Sequence, residues 1–242
     1  MSKKINVVVW NENYHEKTMP QMAEIYPDGI HGAIAQKLSE MGDYNITIAT
    51  QDMPEHGLTD DVLNNCDVLI WWAHAKHHEV SEKIANKVVG RVLRGMGFIV
   101  LHSAHYCKPF KMLMGTSCSL KWRENDERER IWTINPTHPI AKGVPEHILI
   151  EKEETYGEFY DVPTPDDTVF ISWFSGGEVF RSGICYNRGL GKVFYFRPGH
   201  ETYPTYYRDE IALIMKNAVE WAYTEGVTKP TFDHCPKPLE NV

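Results

Sequence analysis

A short apolar run that ends in a polar cluster constrains the fold of this chain more than any other feature. Residues 97–101 read Gly-Phe-Ile-Val-Leu, and His102, Ser103, His105 and Tyr106 follow directly. A strand that is apolar on both faces is typical of a parallel sheet covered on both sides. Because ligands of open α/β sheets bind beyond the carboxyl ends of the strands, the polar cluster is predicted to lie at a functional site.

The segments before this run alternate between strand and helix patterns. Apolar runs at 5–10, 45–50 and 67–72 predict strands. Helical spacing of apolar residues predicts helices at 29–41 and 81–94, with a short helix capped by Thr59 between the second and third strands. This alternation favours a doubly wound, mainly parallel sheet.

The second half of the chain has a looser pattern. We expect a short helix at 109–114 and a final long helix at 204–224. Strands are expected at 130–134, 147–151, 167–173, 181–186 and 193–197, and the sequence Asn187-Arg188-Gly189-Leu190-Gly191 predicts a hairpin between the last two. The charged segment 121–130 is interpreted as a solvated face without a role, and residues 154–158 as an acidic loop.

Length, charge and cysteine usage limit the class of protein. The chain has 242 residues, and no linker divides it, so we expect one domain at 1–226 with a surface tail at 227–242. A formal net charge of -8 without a basic cluster argues against a nucleic-acid partner. Five unevenly spaced cysteines without a CxxC pair suit reduced thiols. With neither a signal-peptide pattern nor a long apolar run, a cytoplasmic protein without membrane contact is expected.

Histidines cluster after the predicted strands. The chain has 12 histidines, and those that follow strands are His15, His74, His77, His78, His102, His105 and His200. Loops that follow neighbouring strands converge on one edge, where imidazoles and a carboxylate can hold zinc or another divalent metal such as manganese or nickel. The alternative for any one of them is a hydrogen-bonded structural histidine.

Four short motifs together resemble the ThuA family of trehalose-utilisation proteins. They are Val100-Leu101-His102-Ser103-Ala104, Thr137-His138-Pro139-Ile140, Glu154-Thr155-Tyr156, and the run from Gly191 to His200. The resemblance extends to about Tyr223. It implies a three-layer α/β/α, flavodoxin-like fold related to class I glutamine amidotransferases, and a carbohydrate substrate. In that superfamily a nucleophilic cysteine occupies the turn where this chain has His102 and Ser103, so glutamine amidotransfer is disfavoured.

The family's association with disaccharides oxidised at C3 implies a specific chemistry. A 3-keto group acidifies the C2 proton, so that a metal polarising the ketone and a nearby base would permit cleavage by elimination, or isomerisation. The expected metal ligands are His105, His200, Glu158 and His74. The expected base is Glu154 or His102, with Tyr106 or Tyr156 as hydrogen-bond donors.

Two alternatives remain open from the sequence. Ser103 could act as a nucleophile with His200 as its base, although the glycines of a G-x-S-x-G elbow are missing, and Cys107 is expected to lie in the core. The chain could instead be a sugar-binding or regulatory module without turnover, using aromatic side chains to stack on sugar rings. The candidates are Trp71, Trp72, Tyr106, Trp122 and Trp173. The physiological sugar and homo-oligomer formation stay open.

Overall fold

Nine strands in the described part of the chain form one mixed sheet. The computed structural model describes residues 4–225 and Glu240, so the predicted C-terminal tail, apart from Glu240, lies outside the described residues. The strands are β1 Ile5–Asn11, β2 Tyr44–Thr50, β3 Val68–Trp72, β4 Gly97–Leu101, β5 Lys121–Thr133, β6 His147–Gly157, β7 Asp167–Phe174, β8 Val179–Arg188 and β9 Gly191–Phe196. Their order across the sheet is β2-β1-β3-β4-β9-β8-β7-β5-β6.

Helices cover both faces of the sheet. The α-helices are α1 His15–Thr18, α2 Pro20–Ile25, α3 Gly29–Met41, α4 Asp60–Asn65, α5 Glu82–Leu93, α6 Lys108–Met114 and α7 Asp209–Ala222. Short 3-10 helices lie at Pro54–Gly57, His77–Glu79, His102–Tyr106, Pro139–Ala141 and Thr205–Tyr207. The segment predicted as one helix from 204 is therefore a short 3-10 turn followed by α7.

The side chains on the two faces of the central strands pack into two separate hydrophobic cores. Side chains alternate along a strand, so Val8 and Val100 lie in one core while Val7 and Ile99 lie in the other. Helices α4, α5 and α6 contribute to the first core, and α3 and α7 to the second. This is the predicted three-layer α/β/α arrangement.

The sheet is mixed rather than mainly parallel, which corrects the prediction. Strands β2, β1, β3, β4 and β9 are parallel neighbours, whereas β9, β8, β7, β5 and β6 are antiparallel neighbours. The first half uses helical crossovers, which parallel strands require, and the second half uses direct antiparallel connections. The hairpin predicted at Asn187–Gly191 is confirmed as the antiparallel β8–β9 pair. For the other strands of the second half, the sequence pattern predicted local strands but not their pairing.

Two further predictions about local structure were wrong. The charged segment 121–130 belongs to the long strand β5, in which Glu127 and Glu129 are buried. The expected acidic loop at 154–158 is mostly the end of strand β6, where Glu154 and Tyr156 are buried. Charged residues in a strand look solvent-exposed from sequence, because their buried partners come from distant parts of the chain.

Candidate metal centre

Three histidines meet where neighbouring parallel strands end. His74 follows β3, His102 follows β4 and His200 comes four residues after β9, and these strands are adjacent in the sheet. With Glu154 of β6 they form a group in which each residue offers one ligand atom, all within 4.8 Å of one another. The carboxyl edge of the parallel half therefore carries a compact set of nitrogen and oxygen donors.

His102 occupies the sharp turn directly after the central strand β4. Its φ is +52°, a left-handed conformation that is uncommon for a residue with a side chain and is often found at functional sites. Nδ1 lies 3.0 Å from the Arg197 carbonyl oxygen, which can only accept, so this nitrogen carries the ring proton. Burial lowers the pKa of His102 to about 3. The neutral ring therefore presents an Nε2 lone pair to the group.

His200 is held by a backbone turn that depends on Gly199. Gly199 has a φ of +117°, and a Cβ there would lie 2.2 Å from the Tyr206 hydroxyl oxygen, so only glycine fits. The backbone N–H groups of Gly199 and His200 both donate to the Glu153 carboxylate at 3.1 Å. The ring contacts the Thr202 hydroxyl through Nδ1 at 2.7 Å, and burial lowers the pKa of His200 to about 4.

The loop that carries His74 is held in place by Glu12. The carboxylate of Glu12 accepts from the backbone N–H groups of His74, Ala75 and Lys76 at 2.7 to 3.1 Å. Glu12 follows β1, the strand beside β3, so two neighbouring strand ends are tied together. The His74 side chain is thereby fixed at the sheet edge.

The carboxylate of Glu201 lies between the imidazoles of His15 and His74. Its Oε1 is 2.9 Å from Nδ1 of His15 and 2.9 Å from Nδ1 of His74. Both are close polar contacts rather than aligned hydrogen bonds, because neither nitrogen has a hydrogen-bond partner of acceptable direction. Burial opposes ionisation of Glu201, but the two imidazoles outweigh it and lower its pKa strongly. Burial likewise lowers the pKa of His74, yet Glu201 raises it overall.

Glu154 reaches the group from the antiparallel half of the sheet. Strand β6 is four positions from β9 in the sheet order, yet Glu154 Oε2 lies 3.1 Å from His102 Nε2. Opposite Glu154, strand β5 has an irregularity in which residues 124–126 face this one residue. Such bulges bend a strand and often occur beside active sites. Glu154 is buried, and this burial raises its pKa.

A buried ion network lies beneath the group. The guanidinium of Arg197 contacts the Glu129 carboxylate and donates to the carbonyl oxygen of Glu154 at 2.6 Å. Arg197 and Glu129 have no exposed side-chain surface. Because Arg197 also accepts from His102 through its own carbonyl oxygen, this one residue contacts two members of the group.

The donor set fits a divalent transition metal. Three buried atoms of the group have no hydrogen-bond partner within the described residues: Nε2 of His102, Nε2 of His200 and Oε2 of Glu154. Nδ1 of His74 also lacks an aligned hydrogen bond, but it lies against the Glu201 carboxylate. Unpaired buried polar atoms are costly and rare in folded proteins, so their convergence calls for a cation or proton between them. Neutral imidazoles with a carboxylate are typical zinc ligands, and partners on the opposite ring nitrogens are typical of metal-binding histidines.

A cleft of about 390 Å³ opens beside the group. Its walls include Glu154, His105, Tyr156, Trp122 and Glu124. The volume falls within the usual range for small-molecule sites. The cleft therefore gives a small polar molecule access to the group.

The structure does not place the other predicted metal ligands in the group. Glu158 is half-buried and forms a bidentate ion pair with Arg181 at 2.8 and 2.9 Å, away from the histidines. His105 lines the cleft, but its Nδ1 donates to the Cys118 carbonyl oxygen at 2.7 Å. It is a member neither of the group with Glu154 nor of the cluster formed by His15, His74 and Glu201. Burial lowers the pKa of His105 to about 3, so its ring is neutral.

The residues proposed for catalysis are distributed differently from the expectation. Ser103 contacts the Tyr156 hydroxyl at 2.7 Å, and no hydrogen bond joins it to His200 among the described residues, so the geometry does not support a Ser–His pair. Tyr156 stacks on the His102 ring with centroids 5.3 Å apart. Tyr106 is partly exposed at the cleft. Cys107 is fully buried, and burial raises the pKa of its thiol strongly.

Sequence reasoning missed several residues of this region. Glu201 directly follows His200 and Glu12 directly follows β1, so their positions after strands were an available signal. Glu124 and Glu129 lie in the charged segment and gave no usable signal, because charge alone does not distinguish a buried carboxylate from a solvated one. Trp71 and Trp72, offered as sugar-stacking candidates, are buried, with Trp71 stacked on Trp10.

Solved structures with the same fold define the class. A ThuA-like protein from Parabacteroides merdae is similar with a TM-score of 0.69 and 15% identity, covering 95% of this chain and 93% of its own. A ThuA-like protein from Bacteroides uniformis gives 0.62 and 15%, covering 92% and 93%. A glutamine amidotransferase from Thermotoga maritima gives 0.56 and 10%, covering 91% and 99%. The fold is thus that of the glutamine amidotransferase-like α/β proteins, with His102 at the turn after β4.

Within this class the family is defined by the sequence. The sequence model of the ThuA family, described as trehalose utilisation, matches residues 6–222. The chain belongs to the ThuA family, as its four short motifs predicted. No curated protein sequence matches it. Within the described residues, no helix combines the length and apolarity needed to cross a membrane.

Proposed function

We propose that this chain is a metal-assisted enzyme that acts on a keto-sugar, a disaccharide oxidised at C3, by proton abstraction beside the carbonyl. The observation that carries the proposal is the convergence of three imidazoles and one carboxylate, in which Nε2 of His102, Nε2 of His200 and Oε2 of Glu154 are buried and have no hydrogen-bond partner among the described residues. Burial keeps the His102 and His200 rings neutral. His74, His102 and His200 would hold the metal, since catalytic zinc sites commonly use three protein ligands and leave one position open. Membership of the ThuA family supplies the sugar context.

Glu154 is the proposed general base. When bound, a divalent metal supplies Lewis-acid polarisation of the ketone oxygen. Burial raises the pKa of Glu154, which brings a carboxylate closer to the value that suits a base working near neutral pH. Its carboxylate lies at the cleft wall, within reach of the same histidines, so a C2 proton of a sugar bound there has an acceptor.

The proton and the leaving group can be followed through the reaction. Glu154 takes the C2 proton, the C1–O bond to the second sugar breaks, and the departing oxygen receives that proton. Water then adds across the new double bond, its oxygen to C1 and a proton to C2, which completes hydrolysis. Tyr156 stays protonated because burial raises its pKa well above the ordinary value, so its hydroxyl can serve as a hydrogen-bond donor in the cleft.

The test is exchange of the C2 proton with solvent. In D₂O, 3-keto-trehalose incubated with the metal-loaded protein should give product or recovered substrate with deuterium at C2. Unoxidised trehalose should be unchanged, because without the neighbouring carbonyl its C2 proton is far too weakly acidic. Cleavage of unoxidised trehalose at a comparable rate, or no exchange at saturating metal, would contradict the mechanism and favour a sugar-binding module without turnover.

A further inference from the structure

The wall of the cleft formed by the antiparallel half of the sheet carries an unusually exposed tryptophan. Trp122 is 64% exposed although it is a large apolar side chain in a well-packed sheet. It lies near the start of strand β5 and is paired across the strands with Tyr156 of β6. Residues directly opposite in an antiparallel pair present their side chains on the same face, so Trp122 stands beside the tyrosine that stacks on His102.

A carboxylate of the same cleft lies close to one of the histidines. Glu124 also lines the cleft, is more than half exposed, and has its Oε1 3.9 Å from Nε2 of His200. It belongs to the irregular stretch 124–126 opposite Glu154. The irregularity therefore places an exposed carboxylate near His200, in the same cleft that Trp122 lines.

An aromatic face with an adjacent carboxylate suits a sugar ring. A pyranose has an apolar C–H surface that packs on an aromatic ring, and its hydroxyls donate to carboxylates. Exposed aromatic side chains in pockets commonly anchor ligands because they bury a large apolar area at a low entropic cost. Arg123, which lies between the two residues in sequence, is instead paired with Glu127 and Glu178.

We propose that Trp122 and Glu124 form a subsite for the second sugar ring, the one that leaves, and that this subsite gives the cleft its preference for disaccharides over monosaccharides. The inference rests on the proposed function, since it places the reacting ring at the histidines and Glu154. The next ring then lies over Trp122, with Glu124 at the junction. The cleft volume of about 390 Å³ is compatible with a ligand larger than one ring.

The experiment compares binding of trehalose and glucose, which are unreactive probes, by titration calorimetry. Wild-type protein should bind trehalose at least about tenfold more tightly than glucose. Trp122→Ala should reduce this ratio to near 1, and Trp122→Phe should restore most of it, because a phenyl ring keeps the stacking face. Trp173→Ala is the matched control, since Trp173 is partly exposed on β7 but does not line the cleft, and its ratio should stay at the wild-type value.

The outcomes separate this inference from the proposed chemistry. An unchanged trehalose-to-glucose ratio in Trp122→Ala, or a wild-type protein that does not prefer trehalose, would overturn the subsite. Loss of the trehalose preference in Trp122→Ala supports the subsite even if no C2 exchange is found, because the binding measurement involves no turnover. Since Trp122 is largely exposed, its variants should unfold at the wild-type temperature, and melting curves check that a lost ratio reflects the missing ring rather than misfolding.

Discussion

His102 Nε2 lies 3.1 Å from Glu154 Oε2, and neither atom is exposed to solvent or has a hydrogen-bond partner among the described residues. The proton of the His102 ring is held on Nδ1 by the Arg197 carbonyl oxygen, so a lone pair faces the carboxyl group. Such a contact is repulsive unless a metal ion or a proton lies between the two atoms. The same buried pair therefore underlies both the proposed metal centre and the proposed base.

The purified protein is expected to bind about one divalent transition metal per chain, measured by elemental analysis after dialysis. Replacing His74, His102 or His200 with alanine should lower the occupancy strongly, since each removes one of three nitrogen ligands. His105→Ala is the matched control, because His105 is a buried histidine of the same cleft whose Nδ1 is engaged by Cys118. Equal occupancy in all four variants, or none in the wild type, would contradict this ligand set.

Glu154→Gln should lower turnover of the keto-disaccharide by about 10²-fold or more, the usual scale for loss of a general base, while metal content stays near the wild-type level. Glutamine keeps the size of the side chain but cannot accept the proton. The measurement is kcat together with metal content of the same sample. If metal content falls along with turnover, Glu154 is a fourth ligand rather than a free base.

Glutamine should be inert with this protein. Glutaminase activity in the related fold depends on a thiolate, and the turn after β4 carries His102 and Ser103. The nearby Cys107 is buried, and its raised pKa leaves the thiol protonated. Ammonia release is the measurement. Release that disappears in Ser103→Ala would restore the nucleophile interpretation.

Glu129→Ala should lower the free energy of unfolding by about 3–5 kcal/mol, the scale observed when one partner of a buried ion pair is removed. The reason is that Arg197 would keep a fully buried charge with its main partner gone. Urea denaturation measures the change. Glu220→Ala, which breaks the exposed Lys216–Glu220 pair on α7, is the control and should have little effect. Equal effects of the two variants would show that the buried network is not stabilising.

The metal-free protein should become more stable as the pH rises from about 4 to 6.5. Burial lowers the pKa of His102 and His105 to about 3, and of His77 and His200 to about 4, from an ordinary value of 6.5. Between these values the unfolded chain binds more protons than the native state. The free energy of unfolding should therefore rise by up to about 1.4 kcal/mol per pH unit for each histidine and level off above about 6.5.

Two carboxyl groups and His74 act in the opposite direction, and the pKa of His74 is raised overall by Glu201. Burial raises the pKa of Glu129 to about 7 and also raises that of Glu154, so both bind more protons when folded. They are outnumbered by the four histidines, and the net slope should stay positive. His105→Asn removes one titrating ring outside the metal group and should make the slope shallower in urea titrations at pH 4.5, 5.5 and 6.5. A flat or falling wild-type profile would contradict the prediction.

The sequence by itself determined the local structure of the parallel half and the family. Apolar runs ending in polar residues identified β1, β3 and β4, because a strand buried on both faces must be continuous in apolar residues. The same reasoning placed His74, His102 and His200 at one edge, since parallel neighbours end together. The short motifs around His102, His138, Glu154 and His200 were enough to indicate the ThuA family.

Only the tertiary structure decided which of these residues meet. The sequence suggested an acidic loop at 154–158, with Glu158 as a metal ligand and Glu154 as a candidate base. The structure brings Glu154 to His102, opposite the irregularity in β5, and pairs Glu158 with Arg181. Similarly, Glu129 is buried because Arg197 is buried opposite it, 68 residues away. Contacts between residues so far apart in the chain depend on strand order and bulges, which are set by the packing of the whole sheet. They produce no periodic pattern in the local sequence from which they could be predicted.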